Sequence, residues 1–321
     1  MSPNARGAVF ALMSFGVYSA HDVIVKWLGG SYSPFQIVFF SVLFGFPLVT
    51  VMLIRDARPG HLRPVRPWWT ALRTAAAVIT GVCAFYAFSA LPLAQVYAIL
   101  FASPLIITVL SIPILGESVR LRRWAAVIVG LVGVLVVLRP GATELSLGHL
   151  AALAAAFSSA TASIIVRKIG QDERDVVLLL YPLLANFALM AAILPFVYVP
   201  MPVEHLGGLA LMAALAFVAS SLVIAAYKSA EAVIVAPMQY SQILWATLYG
   251  ALFFDEVPDL WTLVGAAIVI GSGLYILMRE SGRAASRNRP VLRSRTRFET
   301  ATAPRVGQLM RLMRRRARGD E

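Results

Sequence analysis

Long apolar runs, separated by short polar stretches, follow one another from residue 7 to residue 278 of this chain. An α-helix needs about 20 apolar residues to cross the hydrocarbon of a bilayer. The runs approach or exceed that length at ten places: 7–27, 34–54, 68–90, 93–115, 121–138, 147–167, 175–198, 207–227, 231–254 and 260–278. Because a spanning helix pairs its own backbone groups in lipid, the pattern predicts an all-α integral membrane protein with ten transmembrane helices.

Proline and short joints constrain how these helices are arranged. The third and fourth spans are joined only by "ALPLA" at 90–94, which predicts a tight antiparallel hairpin. Prolines in or near a span kink the helix and free backbone carbonyls, which then need another partner. The prolines concerned are Pro104, Pro113, Pro182, Pro195 and Pro237.

The second half of the chain repeats the first. At an offset of 141 Lys26 corresponds to Arg167, and at an offset of 139 Phe101 corresponds to Tyr240. Each half contains five spans, and because five is odd the second half must lie upside down in the membrane relative to the first. Inverted repeats of this kind are typical of secondary transporters, in which two similar halves rock between two open states.

Domain boundaries follow from the repeat. We predict a first five-helix repeat over residues 1–140 and a second over 141–280. Residues 281–321 form a basic cytoplasmic tail that we expect to be disordered. From Arg279 to Glu321 the chain holds 13 arginines and 4 acidic residues. With no recognisable nucleic-acid-binding motif, this tail favours anionic lipid headgroups, or no partner, over nucleic acid.

Composition and charge support a membrane protein and orient it. Hydrophobic residues make up 59% of the chain and charged residues only 14%, whereas a soluble domain is about half apolar and a quarter charged. The start, "MSPNAR", runs into the first span without a signal-peptidase-like cleavage site. Ahead of the tail, 12 lysines and arginines fall on the side of the N-terminus and only Lys26 and Arg139 on the other. By the positive-inside rule, both termini are cytoplasmic, in a bacterial-type inner membrane.

Four motifs carry a family resemblance. The two five-span repeats, with "GES" at 116–118 and "DEV" at 255–257 after the fourth and ninth spans, resemble EamA domains of the drug/metabolite transporter superfamily. The stretches "DVIVKWLGG" at 22–30 and "SPFQIVFF" at 33–40 are similar to the start of an EamA domain. The resemblance covers roughly residues 7–278. It implies a ten-helix bundle whose central cavity is lined by the first four helices of each half, with the fifth and tenth peripheral.

The resemblance also implies a range of substrates. Members of such families carry amino acids and their derivatives, S-adenosylmethionine, riboflavin-like vitamins or small drugs, and both uptake and efflux stay open. One position departs from the pattern, because many relatives have an arginine in the second span where this chain has Ser41. If that arginine binds an anionic group in relatives, the substrate of this protein differs.

His21 and Asp22 place ionisable groups inside the first span. Counting back from Trp27 puts Asp22 roughly 8 Å inside the membrane boundary. An ionised carboxylate at that depth costs several kcal/mol unless it is paired or hydrated. Asp22 either pairs locally with Lys26 one helical turn later, or together with His21 binds a substrate amine or a coupling proton. Tyr18 shares the face of Asp22, so Tyr18, His21 and Asp22 are candidate substrate-binding residues.

The fourth and ninth spans supply hydroxyl, amide and aromatic side chains. An isolated polar residue in a span usually forms a hydrogen bond to another helix. For each of these residues taken alone, that structural role is an alternative to substrate binding. As a cluster they suit a binding cavity for a small organic solute, planar or cationic. The candidates are Tyr97, Phe101, Thr108, Gln239, Tyr240, Gln242 and Trp245.

Glu117 and Glu256 correspond at an offset of 139 and lie at opposite membrane faces. Their separation excludes a catalytic carboxylate pair, so we assign them interfacial or gating roles. Small residues one helical turn apart are expected to let helices touch. They are Ala126 and Gly130; Ala152, Ala156 and Ala160; Ser159 and Ser163; and Ala267 and Gly271.

No sequence motif indicates an enzyme. The chain has no phosphate-binding loop, zinc-hydrolase helix or nucleophile elbow. Its one cysteine, Cys83, excludes an intrachain disulfide and a cysteine-rich metal site.

We predict a secondary transporter for a small organic metabolite, with no cofactor or metal. It works by alternating access, coupled to a proton or an exchanged solute, as a monomer or homodimer. The alternatives are a membrane-embedded sensor or scaffold, or a lipid-handling protein.

Overall fold

A computed structural model describes residues 3–55, 62–116, 121–140, 144–169, 172–173, 175–230 and 235–281. Glu117 and residues 282–321 of the basic tail therefore lie outside the described residues, and what was predicted for them stays a prediction. The described part of the chain folds into eleven α-helices and one 3-10 helix. In chain order they are α1 Pro3–Gly29, α2 Pro34–Arg55, α3 Pro67–Ala90, α4 Leu93–Leu100, α5 Ser103–Leu115, α6 Leu121–Leu138, α7 Leu147–Ile169, α8 Asp175–Val197, α9 Val203–Ser229, the 3-10 helix Ala236–Ser241, α10 Gln242–Phe254 and α11 Leu260–Ser281.

These helices form the ten predicted spans, because two spans are interrupted. α4 and α5 together make the fourth span, and the 3-10 helix with α10 makes the ninth. Among the described residues, six segments are long and apolar enough to cross a membrane: Ala5–Gly29, Pro67–Ala90, Leu93–Leu115, Leu147–Val166, Leu180–Val197 and Val203–Val223. Shorter apolar helices cover Pro34–Pro47, Trp124–Leu138 and Leu260–Ile276.

The packing of the helices follows the inverted repeat. α1 of the first half packs along α9 of the second, and α7, which corresponds to α1, packs along α3, which corresponds to α9. Three further close pairs join a helix to its own counterpart: α2 with α8, α4 with α10, and α6 with α11, while α5 also packs along α7. The two halves therefore interlock about a pseudo-twofold axis instead of folding as separate bundles.

The fourth and ninth spans are interrupted at corresponding positions of the repeat. Between α4 and α5, the amide of Ala102 bonds to the carbonyl of Ile99 at 3.0 Å, and that of Leu105 to Ala102 at 3.0 Å. These tighter bonds lie on either side of Pro104, which has no amide hydrogen to donate. In the ninth span the 3-10 helix contains Pro237. The two interruptions bring Phe101 and its counterpart Tyr240 to the middle of the bundle.

Two faces of the bundle can be named from α1: the Pro3 side, where it begins, and the Gly29 side, where it ends. On the Gly29 side Asp259 caps α11, accepting a hydrogen bond from the Thr262 amide at 3.1 Å, and its other oxygen lies 2.5 Å from the Arg139 guanidinium. Burial alone would raise the pKa of Asp259, but the hydrogen bonds from Thr262 and the charge of Arg139 hold it below its usual range. Asp259 therefore has a structural role, as the cap at the start of α11.

Glycine determines how closely α6 and α11 cross. A Cβ on Gly265 would lie 2.6 Å from the carbonyl oxygen of Gly133, and a Cβ on Gly133 would lie 2.9 Å from that of Gly265. Of the small residues expected to let helices touch, Gly130 does so, since a Cβ there would overlap the Leu105 side chain, but the prediction is wrong for Ala267 and Gly271. Ala267 is exposed, and a Cβ on Gly271 would meet nothing within 4 Å.

Replacing Gly265 by alanine should destabilise the protein. The new Cβ would press on the backbone of Gly133, which cannot turn away, and such overpacking costs about 1–3 kcal/mol. We expect thermal unfolding of the purified protein in detergent to occur several degrees lower. Gly271→Ala on the same helix is the matched control and should be neutral or stabilising, because alanine is the better helix former by about 1 kcal/mol. Equal melting temperatures for the two variants would contradict this contact.

Candidate functional site

A buried carboxylate lies at the centre of the candidate site, on α1. Asp22 is 2% exposed and His21, beside it, is 1% exposed. His21 Nδ1 is 2.7 Å from Asp22 Oδ1, and the hydroxyl of Tyr97, on α4, donates to Asp22 Oδ2. The carboxylate thus has a partner at each oxygen, as a buried charge requires.

Tyr97 connects this carboxylate to the second half of the chain. Its hydroxyl oxygen accepts weak hydrogen bonds, both at 3.4 Å, from Ser19 Oγ on α1 and from Gln242 Nε2 at the start of α10. Tyr97 and Gln242 are buried, at 1% and 0% exposed. The network joins α1, α4 and α10, so it links the two repeats at the interrupted spans.

Aromatic rings continue the site along the interruptions. The Tyr97 ring lies 5.4 Å from Phe88 and 5.9 Å from Phe101, centroid to centroid. Phe101 in turn meets the edge of Tyr240 at 5.1 Å. Phe101 and Tyr240 are the repeat counterparts predicted from the sequence, and they contact each other across the pseudo-twofold axis.

A residue on the tenth span makes room for Tyr240. Gly273 on α11 has no side chain at the point where the Tyr240 hydroxyl lies, and a Cβ there would overlap that oxygen. The tenth span, expected to be peripheral, therefore contacts the site. Nothing in the sequence around Gly273 indicated this contact.

Other predicted residues bond elsewhere. Tyr18 lies 2.7 Å, hydroxyl to hydroxyl, from Ser220 on α9. Thr108 donates to the carbonyl of Pro104 at 3.0 Å within α5. Trp245 lies against α1, where a Cβ on Gly16 would be 3.0 Å from its ring. Tyr18 therefore forms a hydrogen bond between two helices, and Thr108 forms one within its own helix.

Among the predicted residues, His21, Asp22, Tyr97 and Gln242 meet in one hydrogen-bonded network, and Phe101 and Tyr240 adjoin it. Gln239 is half-buried on the 3-10 helix. Ser41 is buried, and its hydroxyl has no hydrogen-bond partner among the described residues. Their roles toward a substrate stay predictions.

Lys26 forms an ion pair with Glu256, whereas the sequence suggested Asp22, one helical turn away. Its ammonium lies 2.7 Å from Glu256 Oε1 and donates to the carbonyl of Leu91 at 2.6 Å. The other oxygen of Glu256 accepts from the amide of Leu93 at 3.1 Å. The local pair considered from the sequence does not account for Asp22, because the carboxylate of Asp22 is engaged by His21 and Tyr97.

We call Lys26, Glu256 and the backbone groups of Leu91 and Leu93 the Gly29-side latch. It joins the end of α1, the short joint between α3 and α4, and the end of α10. Lys26 follows Asp22 by four residues, about 6 Å along a helix. The latch therefore lies about one helical turn from the site, toward the Gly29 side. Sequence reasoning placed Glu256 at the interface but missed Lys26, because the partner of Lys26 is 230 positions away in the chain.

Metal binding finds no support in this part of the molecule. Among the described residues, no group of three or more histidine, cysteine, aspartate or glutamate side chains could hold a metal ion.

Comparison with known proteins gives concordant matches along most of the chain. The model of the EamA-like transporter family matches residues 5–139 and again residues 146–278. An S-adenosylmethionine uptake transporter of Rickettsia bellii (strain RML369-C) is 26% identical over 274 residues, 85% of this chain and 94% of that protein. A riboflavin transporter of Vibrio cholerae is 30% identical over 260 residues, 75% of this chain and 86% of that protein.

An exporter and a solved structure match as well. The pseudopaline exporter CntI of Pseudomonas aeruginosa is 25% identical over 281 residues, 86% of this chain and 97% of that protein. A crystal structure of another protein is similar in fold, with a TM-score of 0.58 at 20% identity, over 86% of this chain and 99% of that one. Two matches to one family model, each spanning one five-helix half, agree with the repeat and with the packing. The chain belongs to the EamA-like transporter family.

Proposed function

We propose that this protein is a secondary transporter that moves a small organic metabolite across the cytoplasmic membrane by alternating access. The observation that carries the proposal is the buried network of His21, Asp22, Tyr97 and Gln242. A carboxylate kept at membrane depth, between two inverted repeats and beside two interrupted helices, is characteristic of a substrate or coupling-ion site. Family membership supports the same class.

Symmetry and asymmetry have separate roles in this proposal. The inverted repeats supply two states of similar energy, one open to each side. The acid supplies the chemistry and occurs in one half only, since at an offset of 141 Asp22 corresponds to Ser163. The Gly29-side latch would close one side of the site while the Pro3 side opens.

Orientation and domain limits belong to the proposal as well. The lysine and arginine count favours both termini in the cytoplasm, which makes the Gly29 side the outer one. We propose that the repeats meet near residues 140–141 and that the basic tail lies against anionic lipid headgroups. Tags at the two ends of the chain should both be reached only from the cytoplasm.

The substrate is proposed as a class. The similar proteins named above include two uptake or transport proteins and one exporter, for three different solutes. We therefore propose a carrier of the same kind, without enzyme activity, driven by a gradient through a proton or an exchanged solute.

Flux into liposomes tests the proposal. The purified full chain is reconstituted, and uptake of labelled S-adenosylmethionine, riboflavin and a metabolite panel is compared with protein-free liposomes. We expect saturable flux of at least one solute, in both directions and without nucleotide. A chain lacking residues 282–321 should keep most of that flux, whereas a scaffold that works through its tail would lose its role. No flux of any solute by a protein that is folded would contradict the proposal.

A further inference from the structure

The proton positions of the Asp22 network follow from its hydrogen bonds. An ionised carboxylate can only accept, so Asp22 takes a proton-bearing contact at each oxygen, from the Tyr97 hydroxyl and from His21 Nδ1. His21 then carries its hydrogen on Nδ1. In a neutral imidazole the other nitrogen, Nε2, is left with a lone pair and acts as an acceptor.

The orientation of the Gln242 amide follows in the same way. The single hydrogen of the Tyr97 hydroxyl is given to Asp22, so its oxygen can only accept from its other neighbours. Gln242 must therefore turn its NH2 group toward Tyr97, at 3.4 Å. Its carbonyl oxygen, Oε1, points elsewhere and is the second acceptor.

Both of these acceptors are buried and lack partners in the described part of the chain. His21 Nε2 and Gln242 Oε1 each expose less than 1 Å² and have no hydrogen-bond partner there. Leaving a buried acceptor unsatisfied costs about 1–3 kcal/mol. Two such atoms, on α1 and α10, belong to side chains of one network.

We infer that His21 Nε2 and Gln242 Oε1 are an acceptor pair that binds a protonated amine of the substrate through its N–H groups, with Asp22 as a positioning residue. The inference rests on the proposed transport function and names the substrate class of the same site. Acceptors select ligands that donate, which disfavours carboxylates and phosphates. The negative charge of Asp22 favours a cationic donor over a neutral one, and the rings of Tyr97 and Phe101 suit a cation as well.

Matched sets of simple ligands test the inference. Butylamine, tyramine and tryptamine are each compared with their N,N,N-trimethyl derivatives, which keep the positive charge but have no ammonium N–H to donate, and with carboxylates of the same skeleton. Thermal stabilisation of the purified full chain reports binding, because a ligand raises the melting temperature only by binding the folded form. We expect the amines to bind about tenfold or more tightly than their trimethyl partners, as loss of charge-assisted hydrogen bonds requires.

A variant separates ligand binding from folding. Gln242→Met keeps the length of the side chain and removes the buried acceptor, so the melting temperature without ligand should be kept or raised while amine binding falls to the level of the trimethyl compounds. Gln95→Met is the matched control, since Gln95 on α4 bonds to His149 at 3.0 Å, and it should leave amine binding unchanged.

Three results would overturn the inference: equal binding of amines and trimethyl derivatives, preferential binding of carboxylates, or no stabilisation by any amine. Each differs from failure of the transport proposal. A carrier that moves a neutral or anionic metabolite into liposomes would stand, while the acceptor pair would not.

Discussion

Asp22→Asn is expected to reduce transport about 100-fold or more while the protein still inserts and folds. The carboxylate accepts from His21 and from Tyr97, whereas an asparagine side chain has one accepting oxygen and presents an NH2 group at the other position. One donor loses its acceptor, and the tautomer of His21 with its hydrogen on Nδ1 is no longer favoured. His21 and Gln242 are then no longer held to accept from the substrate, and losing two charge-assisted hydrogen bonds of about 1.5 kcal/mol each is roughly 100-fold in affinity.

Folding should suffer little from this change, because removing a charge from membrane depth offsets the lost hydrogen bonds. Flux into liposomes and the melting temperature are measured side by side. Asp259→Asn is the matched control: it makes the same chemical change at the end of α11, where the carboxylate side chain is 41% exposed. Unchanged flux in Asp22→Asn would remove Asp22 from the site.

Lys26→Glu is expected to hold the Gly29 side open and to stop most of the flux. The change puts two carboxylates where the ammonium now lies 2.7 Å from Glu256, with side chains only 11% and 21% exposed. Like charges repel strongly when water is largely excluded. A carrier that cannot close one side cannot complete its cycle, so flux falls even though the substrate site is intact.

The charge-swapped double variant, Lys26→Glu with Glu256→Lys, should recover a substantial part of the flux. Access is read with Ser19→Cys in a Cys83→Ala background, where a membrane-impermeant thiol reagent added on the Gly29 side should label Lys26→Glu faster than the parent. Arg139→Glu breaks the ion pair with Asp259 on the same side and should leave flux nearly unchanged. A double variant as inactive as Lys26→Glu would show that the latch does not act through its charges.

The site illustrates how two similar halves produce one asymmetric centre. Phe101 and Tyr240 are repeat counterparts that meet across the axis, but only Tyr240 has a hydroxyl and needs Gly273 beside it. Equivalent helix ends also differ in residue type. Gly116 and Asp255, at an offset of 139, both adopt left-handed conformations, with φ of 68° and 53°. The backbone keeps the symmetry while the side chains specialise.

Part of the candidate site could be predicted because its chemistry is local. Asp22 and His21 are conspicuous in an apolar run whatever they contact, since ionisable groups at that depth are costly. Tyr97 and Gln242 are conspicuous for the same reason, as polar groups within the fourth and ninth spans. The short joint between the third and fourth spans is confirmed, with α3 ending at Ala90 and α4 beginning at Leu93, but α3 packs mainly along α7.

Partners that are far apart in sequence could not be predicted. Lys26 has an acid one turn away in the chain, so a local pair was the simplest expectation, and its actual partner Glu256 comes from the other repeat. The closeness of Gly265 to Gly133 depends on where two helices cross, and the spacing of small residues pointed instead to Gly271, which faces open space.

The class of the protein, its ten spans and its inverted repeat could be predicted from the amino-acid sequence alone. These depend on hydropathy and periodicity, which act along the chain, because lipid demands an apolar helix wherever the chain crosses it. What contacts each oxygen of Asp22 and which acid binds Lys26 became known from the folded structure. Those outcomes depend on directional hydrogen bonds between helices that meet only after the two halves interlock.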